Sequence, residues 1–184
     1  MLIFHFSQNE KGASLVDMLR GQDIVVLVRL FGIRPSVTIQ WIADSLGSDV
    51  ASVHRSLRRL EEVQLVLPDR RVAGPQAEEF LSHGLRYVFP ARFKGESRGV
   101  ETAWAAFPLR AKFGPSDSPR PVWPHPDGTV RGIALEPLHP SVPAAALLDP
   151  ELHERLALVD ALRLNDARVR REAREALFAA ALPE

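Results

Sequence analysis

Ten of the fifteen prolines of this chain lie between Phe89 and Pro143. Proline has no backbone N–H, and its ring clashes with the preceding helical turn, so this density excludes long helices from the middle of the chain. The 184 residues should therefore form helices towards both ends, around a central block of turns and short strands. We predict an α+β fold that is mainly helical, divided into residues 1–85 and 86–184.

Three helices are predicted in the first part from the spacing of apolar side chains. The first, Gly21 to Gly32, is apolar around most of its surface and should be buried, although its β-branched residues make a strand the competing interpretation. The second runs from Ser36 to Leu46 and ends at Gly47. The third runs from Asp49 to Val63, with Ser48 as its expected N-cap.

The period of the apolar residues changes after the third helix. Two short apolar arms within Leu65 to Ala73 surround Pro68-Asp69-Arg70-Arg71, which predicts a turn between two strands. Helix, helix, glycine-containing turn, helix and hairpin follow in the order of a winged helix-turn-helix. In that arrangement Val53, Leu57 and Leu60 pack on the second helix, and the opposite side of the third helix faces outward. A short helix from Gly74, with its end at Gly84, is expected next.

The outward side of the third helix carries side chains suited to DNA recognition. Arg55 is the best candidate for reading a base, because one guanidinium can bind O6 and N7 of guanine together. Ser52 and His54 could add contacts, and the remaining arginines suit phosphates, which set affinity without sequence information. The predicted DNA-binding residues are Ser48, Ser52, His54, Arg55, Arg58, Arg59, Arg70 and Arg71.

Residues 20–72 resemble the winged helix of MarR-type bacterial transcriptional regulators. The segments that carry the resemblance are QDIVVLVRLFG, TIQWIADSLGSDVASVHRSLRRLEEVQLV and PDRR. The resemblance implies a cytoplasmic homodimer that binds double-stranded DNA and regulates transcription. Such regulators usually flank this module with long dimerisation helices, whereas here a proline-rich block follows the hairpin. That block, from HGLRYVFPA to EPLHPSVPAAAL, resembles an uncharacterised bacterial family, which implies no activity.

The charge balance leaves an alternative open. The net charge is zero, whereas nucleic-acid-binding proteins often carry a basic excess. An arginine-rich helix face is also commonly just a solvated face. The alternative is therefore a protein-interaction module, antitoxin-like or a scaffold, that uses a winged helix to bind a protein partner.

Two helices are predicted at the C-terminal end. One begins with Asp149 as its cap and Pro150 in its first turn, and the other is capped by Asn165 or Asp166. Each carries an apolar stripe that must be covered, either by the central block or by a second subunit. The aromatic residues of the central block are expected to form a small β-rich core, with a groove for an effector or peptide as the alternative.

Other chemistries have weaker support. The chain has no cysteine, and His125, His139 and His153 lack the short spacing of metal-ligand pairs, so no metal or cofactor is predicted. GESRG, Gly95 to Gly99, matches the letters of a nucleophile elbow, but a Ser97 nucleophile needs a large parallel sheet and later acid and histidine partners. We predict no enzymatic activity.

No apolar run is long enough to span a membrane and no signal-peptide pattern is present, which favours a cytoplasmic location.

Overall fold

The computed structural model describes residues 19–33, 37–113 and 119–181. These residues form an α+β fold that is mainly helical, as predicted, with a small three-stranded sheet. In chain order the elements are α1 (Gly21–Leu30), α2 (Ile39–Ser45), α3 (Val50–Glu62), α4 (Gly74–Glu79), a π-helical turn (Phe80–Gly84), α5 (Leu85–Val88), β1 (Phe93–Glu101), a 3₁₀ turn (Ala103–Ala105), α6 (Leu109–Phe113), β2 (Pro121–Pro124), β3 (Val130–Leu135), α7 (Val142–Leu148), α8 (Pro150–Arg163) and α9 (Ala167–Ala181).

The first three helices form where the sequence predicts them. α1 is helical despite its β-branched residues, and every side chain from Asp23 to Leu30 is buried. The Thr38 hydroxyl caps α2 by accepting from the backbone N–H of Trp41, and the predicted start at Ser36 lies outside the described residues. Gly47 ends the turn after α2 with a φ of 58°, a left-handed conformation that glycine adopts without strain.

The predicted N-cap of α3 is wrong by one residue. Asp49, not Ser48, caps the helix, because Asp49 Oδ1 accepts from the backbone N–H of Ser52 at 2.8 Å. The Ser48 hydroxyl instead accepts a hydrogen bond from Gln22 Nε2 at 2.8 Å, which links the turn to α1. The predicted packing of α3 is confirmed, since Val53, Leu57 and Leu60 are buried and α3 packs on α1 and α2.

The sequence predicts that Arg59 lies beside the outward side of α3. In the structure Arg59 is buried instead. Its Nε and Nη2 donate to the two carboxylate oxygens of Asp23 on α1, at 2.8 and 2.6 Å. Asp23 also accepts from the backbone N–H of Arg20 and so caps α1. The side chains of Arg59 and Asp23 are 6% and 0% exposed, so this bidentate ion pair is an interior link between α1 and α3.

The hairpin after α3 is present but short. Val66 and Val72 form an isolated antiparallel bridge, and the backbone N–H of Leu67 donates to Arg71 O at 2.8 Å. Arg70 closes the turn with a φ of 67°, which is uncommon for a residue with a side chain. The predicted turn is confirmed, whereas the predicted arms pair only at this bridge.

The helix predicted to end at Gly84 continues to Val88. Ala77, Leu81 and Leu85 are buried at steps of four, so one apolar stripe runs through α4, the π-helical turn and α5. The sequence RYVF, residues 86–89, is strand-like in its composition, but Arg86–Val88 are helical. The boundary predicted after residue 85 lies inside this helical run.

The three strands close into a small ring. β1 pairs antiparallel with β2 and with β3, and β2 and β3 pair parallel to each other. The closure depends on glycine: a Cβ at Gly99 would lie 2.1 Å from Trp123 O, and a Cβ at Gly132 would lie 2.1 Å from Arg120 O. Asp127-Gly128 is typical of a turn before a strand, and in the structure a turn at Pro126 and Asp127 precedes β3.

One apolar core joins all these parts. It includes Ile24 of α1, Leu60 of α3, Trp123 of β2 and the inner sides of α8 and α9. Asp149 caps α8 and Asp166 caps α9, as predicted. The apolar stripes of these two helices are buried within the chain, at Leu152, Leu156, Val159, Leu162, Val169, Ala173 and Leu177, so a second subunit is not needed to cover them.

Removing one partner of the Asp23–Arg59 pair should be strongly destabilising. Asp23→Leu removes the carboxylate that binds the buried Arg59 guanidinium, and a change of this kind costs about 3–5 kcal/mol of unfolding free energy. The double change Asp23→Leu/Arg59→Met should cost much less than the sum of Asp23→Leu and Arg59→Met. Urea unfolding of the wild type, the two single variants and the double variant measures this, and additive losses would show that the pair is not coupled.

The ring of strands allows a matched glycine test. Gly99→Ala places a Cβ against the Trp123 carbonyl and should destabilise the protein by about 1–3 kcal/mol or more. Gly95→Ala lies in the same strand and meets nothing within 4 Å, so it serves as the control. Equal midpoints in thermal unfolding for the two variants would contradict the closed ring.

Candidate nucleic-acid interface

The outward side of α3 carries two neighbouring arginines. Ala51, Arg55, Arg58 and Glu62 recur at steps of four, three and four, which places them along one side of the helix. All four are exposed, and they lie opposite the buried Val53 and Leu60. The predicted outward placement of Arg55 and Arg58 is thus observed, with His54 exposed beside them.

The start of α3 holds Arg55 in place. Nη2 of Arg55 donates to the Ser52 hydroxyl at 2.8 Å, so Ser52 orients the guanidinium towards the N-terminal turn of the helix. Hydrogen bonds from the side chain and backbone N–H of Ser52 hold the pKa of Asp49 below its usual value. A carboxylate that is ionised at neutral pH therefore accompanies Arg55, and it disfavours a phosphate at this position.

Three of the predicted contact residues are used differently inside the protein. Arg59 is engaged with Asp23, and the Ser48 hydroxyl with Gln22. Ser52 is half-buried between the cap and Arg55. The residues with exposed charge on α3 are consequently fewer than the arginine-rich sequence indicates.

The hairpin tip adds two further arginines beside an acid. Arg71 is exposed, and its backbone N–H and Nε both donate to Asp69, at 3.1 and 2.5 Å. Both hydrogen bonds lower the pKa of Asp69, and the one from the backbone N–H of Arg71 has the larger effect. Arg70 is half-buried in its left-handed conformation. Since exposed ion pairs contribute little to stability, Arg71 can exchange Asp69 for another anion at small cost.

Positive and negative groups are balanced on α3 and the hairpin. Four arginines that are not engaged in the core, one histidine and four acids are distributed over these two elements: Arg55, Arg58, Arg70, Arg71, His54, Asp49, Glu61, Glu62 and Asp69. The surface can form several directed guanidinium contacts, but it does not create a strong long-range positive field.

Trp41 is a surface feature that the sequence analysis missed. Its ring is 40% exposed on α2, and the guanidinium of Arg29 lies 4.3 Å from the ring centre. Arg29 is held in turn by Ser45 Oγ and Asp149. The exposure of Trp41 could have been inferred from the helical spacing of α2. Ile42 and Ala43 form its buried side, so position 41 faces away from the core.

The motifs for other chemistries have ordinary structural roles. Gly95–Gly99 lies entirely within β1, so Ser97 is not on the strand-to-helix turn that a nucleophile elbow requires. His153 Nε2 contacts Glu101 O, and His139 contacts the Ser141 hydroxyl. Within residues 19–33, 37–113 and 119–181, no group of three or more His, Asp or Glu could hold a metal ion. The described helices include none that is long and apolar enough to cross a membrane.

No family model, curated protein or solved structure matches the chain.

Proposed function

We propose that this chain is a sequence-specific DNA-binding transcriptional regulator of the winged-helix type. The observation that carries the proposal is the exposed Arg55–Arg58 pair on α3, a helix whose other side is packed on α1 and α2. Recognition helices of helix-turn-helix proteins contact bases mainly through their N-terminal residues, and Arg55 lies in that part of α3. The hairpin with Arg70 and Arg71 follows within ten residues of the helix.

Different arginines take different roles in this proposal. Arg55 reads a guanine, because its guanidinium is exposed and already oriented by Ser52. Arg58 and Arg71 bind backbone phosphates and fix the register of α3 in the major groove. Arg59 makes no contact with DNA, since it holds α3 on α1.

A homodimer would let two copies of α3 read half-sites one helical turn apart. The apolar stripes of α8 and α9 are buried within the chain, so a dimer would use another surface. Leu147 and Leu148 at the end of α7, which are 45% and 84% exposed, are the side chains we propose for it.

The alternative is a protein-interaction module. Outside the buried Arg59, the numbers of arginines and acids on α3 and the hairpin are equal, which favours this alternative because a balanced surface suits a partner of mixed charge. The two functions differ in their response to salt: binding to DNA releases counter-ions and weakens steeply as salt rises.

The Arg55→Ala/Arg58→Ala variant tests the DNA proposal. We expect wild-type protein to select a duplex from a random-sequence library, and the variant to bind that duplex about tenfold more weakly or worse, since one bidentate base contact contributes about 1–3 kcal/mol. The slope of log affinity against log salt should also fall by roughly one for each phosphate that the variant no longer neutralises. Fluorescence anisotropy at several salt concentrations measures both quantities.

A second pair of exposed arginines provides the control. Arg98 and Arg131 are cross-strand neighbours on β1 and β3, and Arg98→Ala/Arg131→Ala makes the same charge change. An equal loss in both variants would show charge-driven binding without recognition by α3. Failure to select any duplex at low salt would exclude the proposal.

Asp49→Asn should strengthen DNA binding. Asparagine caps helices about as well as aspartate, so α3 keeps its start while a negative charge beside Arg55 is removed. The affinity for the selected duplex should rise several-fold at neutral pH. No change, or weaker binding with an intact fold, would mean that the start of α3 does not face phosphate.

The same variant has a signature in stability against pH. Because the folded pKa of Asp49 is lowered, its cap stabilises the protein above the unfolded pKa of about 3.9 and loses that effect as pH falls through the folded value. Asp49→Asn should therefore flatten this part of the stability profile below about pH 4. Urea unfolding between pH 2.5 and 6 measures the difference.

A further inference from the structure

A second basic region lies away from α3, in a cleft between the helical run 74–88 and α9. The cleft has a volume of about 770 Å³. This is within the size range of sites for small organic ligands, about 300–1,000 Å³. We propose that this cleft binds a small organic anion with a phosphate or carboxylate head and an apolar or ring-shaped body.

The charge of the cleft favours an anion. Four arginines line it, against two acids, Glu78 and Glu175, which gives an excess of two positive charges without counting His83. The chain as a whole has a net charge of zero, so this region concentrates positive charge. The four arginines are Arg86, Arg170, Arg171 and Arg174.

The contacts of these arginines leave donors for a ligand. Arg174 donates through Nε and Nη2 to Glu78 Oε1, at 3.1 and 2.8 Å, and so connects α9 to α4. Arg171 donates from one nitrogen to Glu172, and Arg170 from one nitrogen to Leu164 O. A guanidinium has five N–H groups in a planar fork, and it binds a carboxylate or phosphate through two of them at once.

Ser82 lies in the wall of the cleft and carries an unsatisfied hydroxyl. Its hydroxyl oxygen is buried and has no hydrogen-bond partner in the structure. Among the described residues it is the one buried side-chain polar atom in this condition. Buried hydroxyls are nearly always paired, so this group marks the wall of the cleft as locally unusual.

The backbone at Ser82 is also unusual. Phe80–Gly84 is a π-helical turn inserted between α4 and α5. Such turns are rare, and they occur frequently at functional sites because they shift side chains out of the ordinary helical register. Here the turn brings Ser82, His83 and Arg86 to one cleft.

The apolar part of the lining defines the rest of the ligand. Phe178 of α9, which is partly exposed, contributes carbon surface beside the guanidinium groups. The Tyr87 ring is 71% exposed at the same cleft, and the guanidinium of Arg86 lies 4.5 Å from its centre. A ring attached to the anionic head can therefore pack on these side chains while the head contacts arginine.

Calorimetric titration of the full chain in Tris chloride tests the proposal. The probes are phenyl phosphate, benzoate, inorganic phosphate and the neutral benzyl alcohol. We expect phenyl phosphate or benzoate to bind at least tenfold more tightly than benzyl alcohol, and the tighter of the two identifies the head group. Undetectable binding of both ring anions at millimolar concentration, or equal binding of benzyl alcohol, would overturn the proposal.

Two variants locate the site. Arg171→Ala/Arg174→Ala should weaken binding of the ring anion at least tenfold, whereas Arg98→Ala/Arg131→Ala, with the same charge change, should leave it unaltered. Equal losses of affinity in the two arginine variants would place the ligand elsewhere.

These outcomes are separate from those of the DNA experiments. The cleft residues are not on α3 or the hairpin, so loss of anion binding with intact DNA binding, or the reverse, identifies which proposal fails.

Discussion

The central block depends on one buried ion pair on α8, Asp160 with Arg163. Asp160 Oδ2 accepts from Trp123 Nε1 at 2.6 Å and from the Thr102 hydroxyl at 3.2 Å, which connects α8 to β2 and to the end of β1. Arg163 donates to three backbone carbonyls, those of Phe89, Pro90 and Glu136. A proline-rich segment is short of backbone N–H donors, so its buried carbonyls need donors from elsewhere. One guanidinium with five N–H groups provides them, and the adjacent carboxylate balances its charge.

Arginine has the same interior role among the N-terminal helices. Arg59 joins α3 to α1 through Asp23, and Arg29 joins α1 to Ser45 and to Asp149, the cap of α8. A planar guanidinium can serve several partners at fixed angles, which suits junctions between helices. The abundance of arginine therefore overstates the surface open to a nucleic acid. On α3, Arg55 and Arg58 remain for that purpose once Arg59 is assigned to the core.

Local sequence rules predicted the elements whose causes are local. α1 to α3, the hairpin turn, α8 and α9 follow from apolar spacing and from caps such as Asp149 and Asp166. The continuation of the helix past Gly84 depends instead on burial of Leu85 in the common core. The closed ring depends on contacts between distant glycines and backbone, and the position of Arg59 depends on a residue 36 positions away. The cleft at Ser82 requires α9 to lie beside a π-helical turn, which apolar periodicity does not reveal.

The two basic regions differ in ways that suit different ligands. On α3 and the hairpin each arginine has an acid nearby, so charges largely cancel beyond the Debye length of about 8–10 Å. Binding there must come from direct contacts, which favours recognition of a particular surface over general attraction to a polyanion. In the lining of the cleft, by contrast, arginines exceed acids, and the aromatic rings of Tyr87 and Phe178 lie beside them. That combination favours a small anion with an apolar body, since such a ligand covers the carbon surface as well as the charge. A long polyanion would satisfy the charge alone.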